Sequence, residues 1–94
     1  MANINVPCNG NAKTHNIPKV RDKITFGTSG NCTFTSFNFV GNPSCFTNRQ
    51  PPNGGGPKIS YDYDSSSIPD PGYEFQYATT GTGVMGNGTG VIKN

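Results

Sequence analysis

Apolar and polar positions along this chain follow the period of a strand. Ile59, Tyr61 and Tyr63 alternate with Lys58, Ser60 and Asp62, and Tyr73, Phe75 and Tyr77 alternate with Glu74, Gln76 and Ala78. A period of two gathers each aromatic set on one face of a β-strand. No window places apolar residues three and four apart, as an amphipathic helix requires. Further strands are expected at Ala2–Val6, within "AKTHNIPKV", at "KITF" and at "CTFTSFNFV". Pro18 confines the second of these to a sheet edge, because proline cannot donate a ladder hydrogen bond. In "CTFTSFNFV" plain alternation puts Thr33, Thr35, Phe37 and Phe39 on one face and Phe34, Ser36, Asn38 and Val40 on the other. Rings on both faces imply a central strand or a bulge near Ser36.

The punctuation between these runs is Gly, Pro and Asn. "DPG" at 70–72 reads as a turn, and "TTGTGVMGNGTGVIKN" as a glycine-rich hairpin, with Val84 and Met85 before "GNGTG" and Val91 and Ile92 after it. The segment "TNRQPPNGGGP" has no apolar anchor and three consecutive glycines. It is expected to be a mobile loop, 47–57, within a single domain that spans 1–94. Short strands with turns every eight to twelve residues point to a small antiparallel β-sandwich of about six to seven strands, immunoglobulin-like or cupredoxin-like in topology. A small barrel is the alternative.

Composition explains how so small a chain fills a core. Hydrophobic residues are 31% and charged residues 13% of its 94 residues, while aromatics are 11%. Large rings supply the volume that aliphatic residues do not. The aromatic stripe therefore belongs mainly to the core, because the opposite faces are Lys/Ser/Asp and Glu/Gln/Ala. Its outer end, Tyr63 and Tyr73, is where an exposed ring would emerge.

The net charge of +2 is spread along the chain, with Lys13, Lys19, Arg21 and Lys23 as its one concentration, interrupted by Asp22. That is not the dense basic footprint of a nucleic-acid binder, and single-stranded nucleic acid stands only as an alternative ligand for the aromatic sheet faces. No segment has the apolar length needed to insert in a membrane. The start "MANINVPCNGN" lacks the pattern of a signal peptide. Richness in Asn, Thr and Gly, together with cysteines, nevertheless points to a secreted or cell-surface protein. Monomeric behaviour is expected.

Three cysteines, Cys8, Cys32 and Cys45, allow one intramolecular disulfide in any of three pairings. A Cys32–Cys45 bridge would close a hairpin-sized loop, and a bridge from Cys8 would pin the N-terminal arm. None of the spacings is that of a zinc site.

Candidate chemistry is sparse. Blue copper needs two histidines, and the chain has one, His15. A thiol enzyme would require His15, Cys45 and a carboxylate to converge. No cofactor is expected. Asp62, Asp64 and Asp70 stand at alternate positions of "DYDSSSIPD", as in a calcium loop. Ser67 and Tyr73 occupy the places where such a loop wants glycine and a bidentate glutamate. A carbohydrate site is the most concrete binding reading, with Tyr63 and Tyr73 as stacking rings and Asn53 and Gln76 as hydroxyl partners.

The ending "YEFQY", a glycine-rich connection and "GVIKN" resembles small bacterial β-sandwich proteins with an immunoglobulin-like or cupredoxin-like core. The resemblance covers about the last third of the chain and transfers no functional residues. The chain itself reads as a non-catalytic domain that works by binding or display, toward a glycan or a protein, with the loops Thr47–Pro57 and Gly81–Gly90 as its adhesive surfaces.

Overall fold

In a computed structural model of the chain, the described residues are 2–10, 12–18, 20–64, 68, 69, 71–81 and 84–94, without the side chains of Val84 and Met85. They form eight strands: β1 (Ala2–Val6), β2 (Thr14–Asn16), β3 (Arg21–Thr28), β4 (Cys32–Phe39), β5 (Phe46–Gln50), β6 (Lys58–Asp64), β7 (Tyr73–Gly81) and β8 (Val84–Lys93). Among the described residues there is no helix. Two four-stranded sheets pack together, in the orders β1-β3-β6-β5 and β2-β8-β7-β4. The fold is all-β as expected, with eight strands rather than six or seven. β1 runs parallel to β3 and β2 parallel to β8, while the other pairs are antiparallel.

The aromatic stripe is core. Ile59, Tyr61 and Tyr63 of β6 and Phe75 and Tyr77 of β7 are buried, and Tyr73 is half-buried against them. Phe26 of β3 carries the contact between the layers. Its ring centroid lies 4.5 Å from Phe37 and 5.1 Å from Phe75, both on the facing sheet. Tilted and edge-on ring pairs of this kind favour a dense interior over parallel face-to-face stacks.

Three stretches depart from plain alternation or from a loop, each for a local reason. First, β4 carries a bulge at the place, near Ser36, where its sequence offers one. Its pairing with β7 shifts between Phe34 and Ser36, and this bulge returns Phe34 to the face of Phe37 and Phe39. All three rings are buried, while Thr33, Ser36 and Asn38 face out.

Second, "GNGTG" is no turn. It lies inside β8, which pairs with β7 along Tyr73↔Ile92, Phe75↔Gly90, Tyr77↔Gly88 and Thr79↔Gly86. The glycines thus fall on the inner face and Asn87 and Thr89 on the outer one. The missing side chains leave a slot, and the connection from β1 to β2 occupies it. Gly10 N–H donates to the Asn87 carbonyl at 3.3 Å, and Ala12 N–H to that of Thr89 at 2.7 Å. The Tyr77 hydroxyl sits 3.1 Å from the Pro7 carbonyl and 3.0 Å from that of Gly10, and the Thr79 hydroxyl donates to the carbonyl of Cys8. A Cβ on Gly88 would overlap the Gly10 carbonyl and the Tyr77 ring.

Third, the segment 47–57 is not a free loop. Its first part is β5, and its remainder is tied to β4. Phe34 and Gly56 exchange both backbone hydrogen bonds, at 2.8 and 2.9 Å. Gly55 passes so close that a Cβ there would overlap the Phe34 carbonyl. The half-buried Arg49 donates to the carbonyls of Pro51, Phe37 (3.2 Å) and Gly54 (2.6 Å). A guanidinium presents five N–H donors in a planar fork, so one side chain here holds three carbonyls at fixed angles. The run of glycines thus serves close packing here.

The disulfide joins Cys8 to Cys32, and Cys45 is buried outside it. Of the three pairings, this one pins the crossing N-terminal arm to the start of β4. A disulfide is compatible with an extracellular location. No helix among the described residues is long and apolar enough to cross a membrane.

Candidate binding face on the second sheet

The two sheets present unlike outer faces. On the first sheet, charges oppose each other across β3 and β6. Arg21 lies 3.2 Å from Asp64, Lys23 lies 4.0 Å from Asp62, and the Asn48 amide donates to Asp62 at 3.1 Å. Two of the three calcium candidates, Asp62 and Asp64, are therefore engaged with cations. The third, Asp70, lies outside the described residues, as does Ser67. Among the described residues no group of three or more His, Cys, Asp or Glu is placed to hold a metal ion.

The outer face of the second sheet is neutral at its centre. Register places Asn38 beside Gln76 and Gln76 beside Thr89, forming one row across β4, β7 and β8. Ser36, Ala78 and Asn87 form the next row. Between and above these six residues runs a groove of about 390 Å³. Amides and hydroxyls both donate and accept hydrogen bonds, so the lining suits a partner that does likewise. Ala78, the small residue among them, keeps the floor low.

Two smaller hollows adjoin the groove at the β4 edge. One of about 180 Å³ is shared by Ser36, Asn38, Arg49, Asn53 and Gly54. Another of about 170 Å³ lies between Asn38, Asn42, Arg49 and the rims of Phe39, Phe46 and Tyr61. Asn38 borders all three.

The four residues expected to bind ligand thus divide. Gln76 and Asn53 come to one continuous face, joined through Ser36 and Asn38. Tyr63 and Tyr73 do not. Tyr63 is 4% exposed, and its ring lies inside the first sheet. Its hydroxyl has no hydrogen-bond partner among the described residues, and burial, with the Asp22 carboxylate nearby, raises its pKa. Tyr73 packs edge-on against Phe46, with centroids 6.2 Å apart, and on the face of β7 opposite Gln76. Sequence does not mark Ser36 and Asn38 as ligand contacts, and Asn87 and Thr89 enter only as part of the segment Gly81–Gly90. What marks them is the absence of charge at successive outward positions of three neighbouring strands.

The hydroxyls of Tyr61 and Tyr77 are also held above the ordinary tyrosine pKa by burial, opposed at Tyr61 by the Arg49 guanidinium. Burial lowers the pKa of His15. His15, on β2, pairs with Ile92 of β8, whereas Cys45 lines a hollow of about 310 Å³ with Asp22, Ser44 and Tyr63 beside the first sheet.

A broader hollow of about 610 Å³ lies at the disulfide end, between Gly30–Thr33 and Thr80–Gly81. Its walls are largely backbone and small side chains, with few groups to orient a ligand. Comparison with protein families, with curated proteins and with solved structures finds no match for this chain.

Proposed function

We propose that this protein is a non-catalytic binding or display domain, exported or held at a cell surface, with its ligand face on the outer side of the β2-β8-β7-β4 sheet. The observation that carries the proposal is the neutral groove of amide and hydroxyl side chains on β4, β7 and β8. A rigid sheet fixes those groups in rows without ordering a loop, so little conformational entropy is lost on binding. A carbohydrate is the ligand such a lining fits best, because sugar hydroxyls both donate and accept. Hydrogen bonding takes the place of the tyrosine platform, since Tyr63 is buried and Tyr73 lies on the opposite face of β7 from Gln76.

Of the two sandwich types, we favour the cupredoxin-like one. Immunoglobulin-type sandwiches are built from antiparallel sheets, whereas each sheet here contains a parallel pair. The engagement of Asp62 and Asp64 with cations and the burial of Cys45 favour a structural role for these groups over catalysis.

A glycan array tests the proposal. The expected result is selective binding to neutral glycans by the native chain, lost in the double variant Asn38→Ala/Gln76→Ala and retained in Tyr73→Ala. Both altered amides are exposed, so the double variant should keep its fold. Equal binding by native chain and double variant would refute the location of the face, and an array with no positive glycan would refute the carbohydrate reading.

A further inference from the structure

We infer that the ligand is an extended, neutral glycan chain lying across the strands, held along a track that leaves the sheet and continues over the β4 edge to Asn53. The inference rests on the binding reading above and adds the ligand's shape, direction and length. The track follows from the way the hollows join. The main groove crosses β8, β7 and β4, and the hollow beyond β4 shares Ser36 and Asn38 with it. The far wall of that hollow is Asn53 and Gly54, held in place by Arg49 through the carbonyls of Pro51, Phe37 and Gly54. Two interstrand spacings of about 4.8 Å plus the step to Asn53 give a track of roughly 15–20 Å, the span of about four sugar rings.

Three other occupants fit less well. A peptide strand adding to the sheet needs an open edge. The outer edge of β4 is taken at Phe34 by Gly56 and at Phe37 by Arg49. A nucleic acid or an acidic polysaccharide needs available cations. Among the described residues lining the track the one cation is Arg49, which already donates to three carbonyls. A second protein surface usually meets an apolar centre. Among the described residues the exposed large hydrophobics are Val20 and Val40, and neither lines the groove.

Linear β-1,4-linked glucose oligomers of two to six rings, titrated by calorimetry, test this. Affinity should rise with each ring up to about the fourth, by roughly fivefold per ring, as expected for about one net hydrogen bond each, and then level off. Asn53→Ala should remove the gain from the last ring and weaken the four-ring oligomer more than the two-ring one. Asn38→Ala should weaken every length. Raising salt from about 0.05 M to about 0.5 M should change nothing, because no charge pair forms. Equal affinity from two rings upward, or Asn53→Ala acting on all lengths alike, would overturn the track and leave the sheet face standing. Failure of the series to bind, with neutral glycans also negative on the array, would overturn both.

Discussion

Opening the Cys8–Cys32 bridge is expected to destabilise the fold by about 3.5 kcal/mol. The bond closes a sequence separation of 24 residues, and a loop of that length restricts the unfolded chain by about this much. The native consequence is local as well. Cys8 begins the connection that crosses from the first sheet to the second, and its carbonyl accepts a hydrogen bond from Thr79. Denaturant titration of the native chain and of Cys8→Ser/Cys32→Ser should show the loss as a lower midpoint. In thermal unfolding the same loss should appear as a fall of roughly 15 °C or more. Thiol counting should find one reactive group in the unfolded oxidised chain and three after reduction. An unchanged midpoint would mean that the crossing arm is held without the bridge.

Gly88→Ala is expected to cost about 3 kcal/mol, at the upper end of the range for overpacking. The added methyl group would overlap the Gly10 carbonyl and the Tyr77 ring, and the former belongs to backbone that is itself bonded to β8. Relief by rotamer change is therefore small, and trimming the ring with Tyr77→Phe should not rescue the variant. Asn87→Ala, one residue away and facing outward, should change stability by no more than about 0.5 kcal/mol. The contrast is readable in a urea titration. Equal tolerance at the two positions would mean that the arm does not fill the slot left by Gly86, Gly88 and Gly90.

These two sites also show where sequence is informative. β1 was legible to its limits because Ala2–Val6 alternates cleanly and Pro7 stops it. The stripe on β6 and β7 was legible as core because the opposite faces of those strands are Lys/Ser/Asp and Glu/Gln/Ala. β8 was misread because glycine is a poor strand former by propensity, and its propensity hid its period. The spacing of Gly86, Gly88 and Gly90 is itself a period of two, with polar residues between, and is the mark of a strand with a bare face. β5 went unseen because Phe46 is its single buried residue and its outward positions are those of a polar loop. Only the tertiary contacts of Arg49 and Gly56 give that segment its place. The disulfide pairing could not be read at all, since it depends on bringing the end of β1 to the start of β4.

The candidate site was half legible. Gln76 and Asn53 were identifiable as hydroxyl partners, but sequence could not show that they adjoin. Their neighbours Ser36 and Asn38 sit after a bulge that turns Phe34 away from their face of β4. Without the shift, Phe34 would stand on the outer face beside Asn38 and put an apolar ring where the groove has amides and hydroxyls. Tyr63 and Tyr73 were chosen because rings near a turn can emerge from a core. Burial of the one and the packing of the other against Phe46 place them elsewhere.

The most direct test of the central claim, that the neutral outer face of the second sheet holds the ligand, is a map of backbone amide shifts during titration with a β-1,4-linked glucose tetramer. The predicted result is one connected patch of perturbed amides at Ser36, Asn38, Asn53, Gln76, Asn87 and Thr89. A patch centred on Tyr63, Tyr73 or the Asp62–Asp64 edge of the first sheet would contradict it.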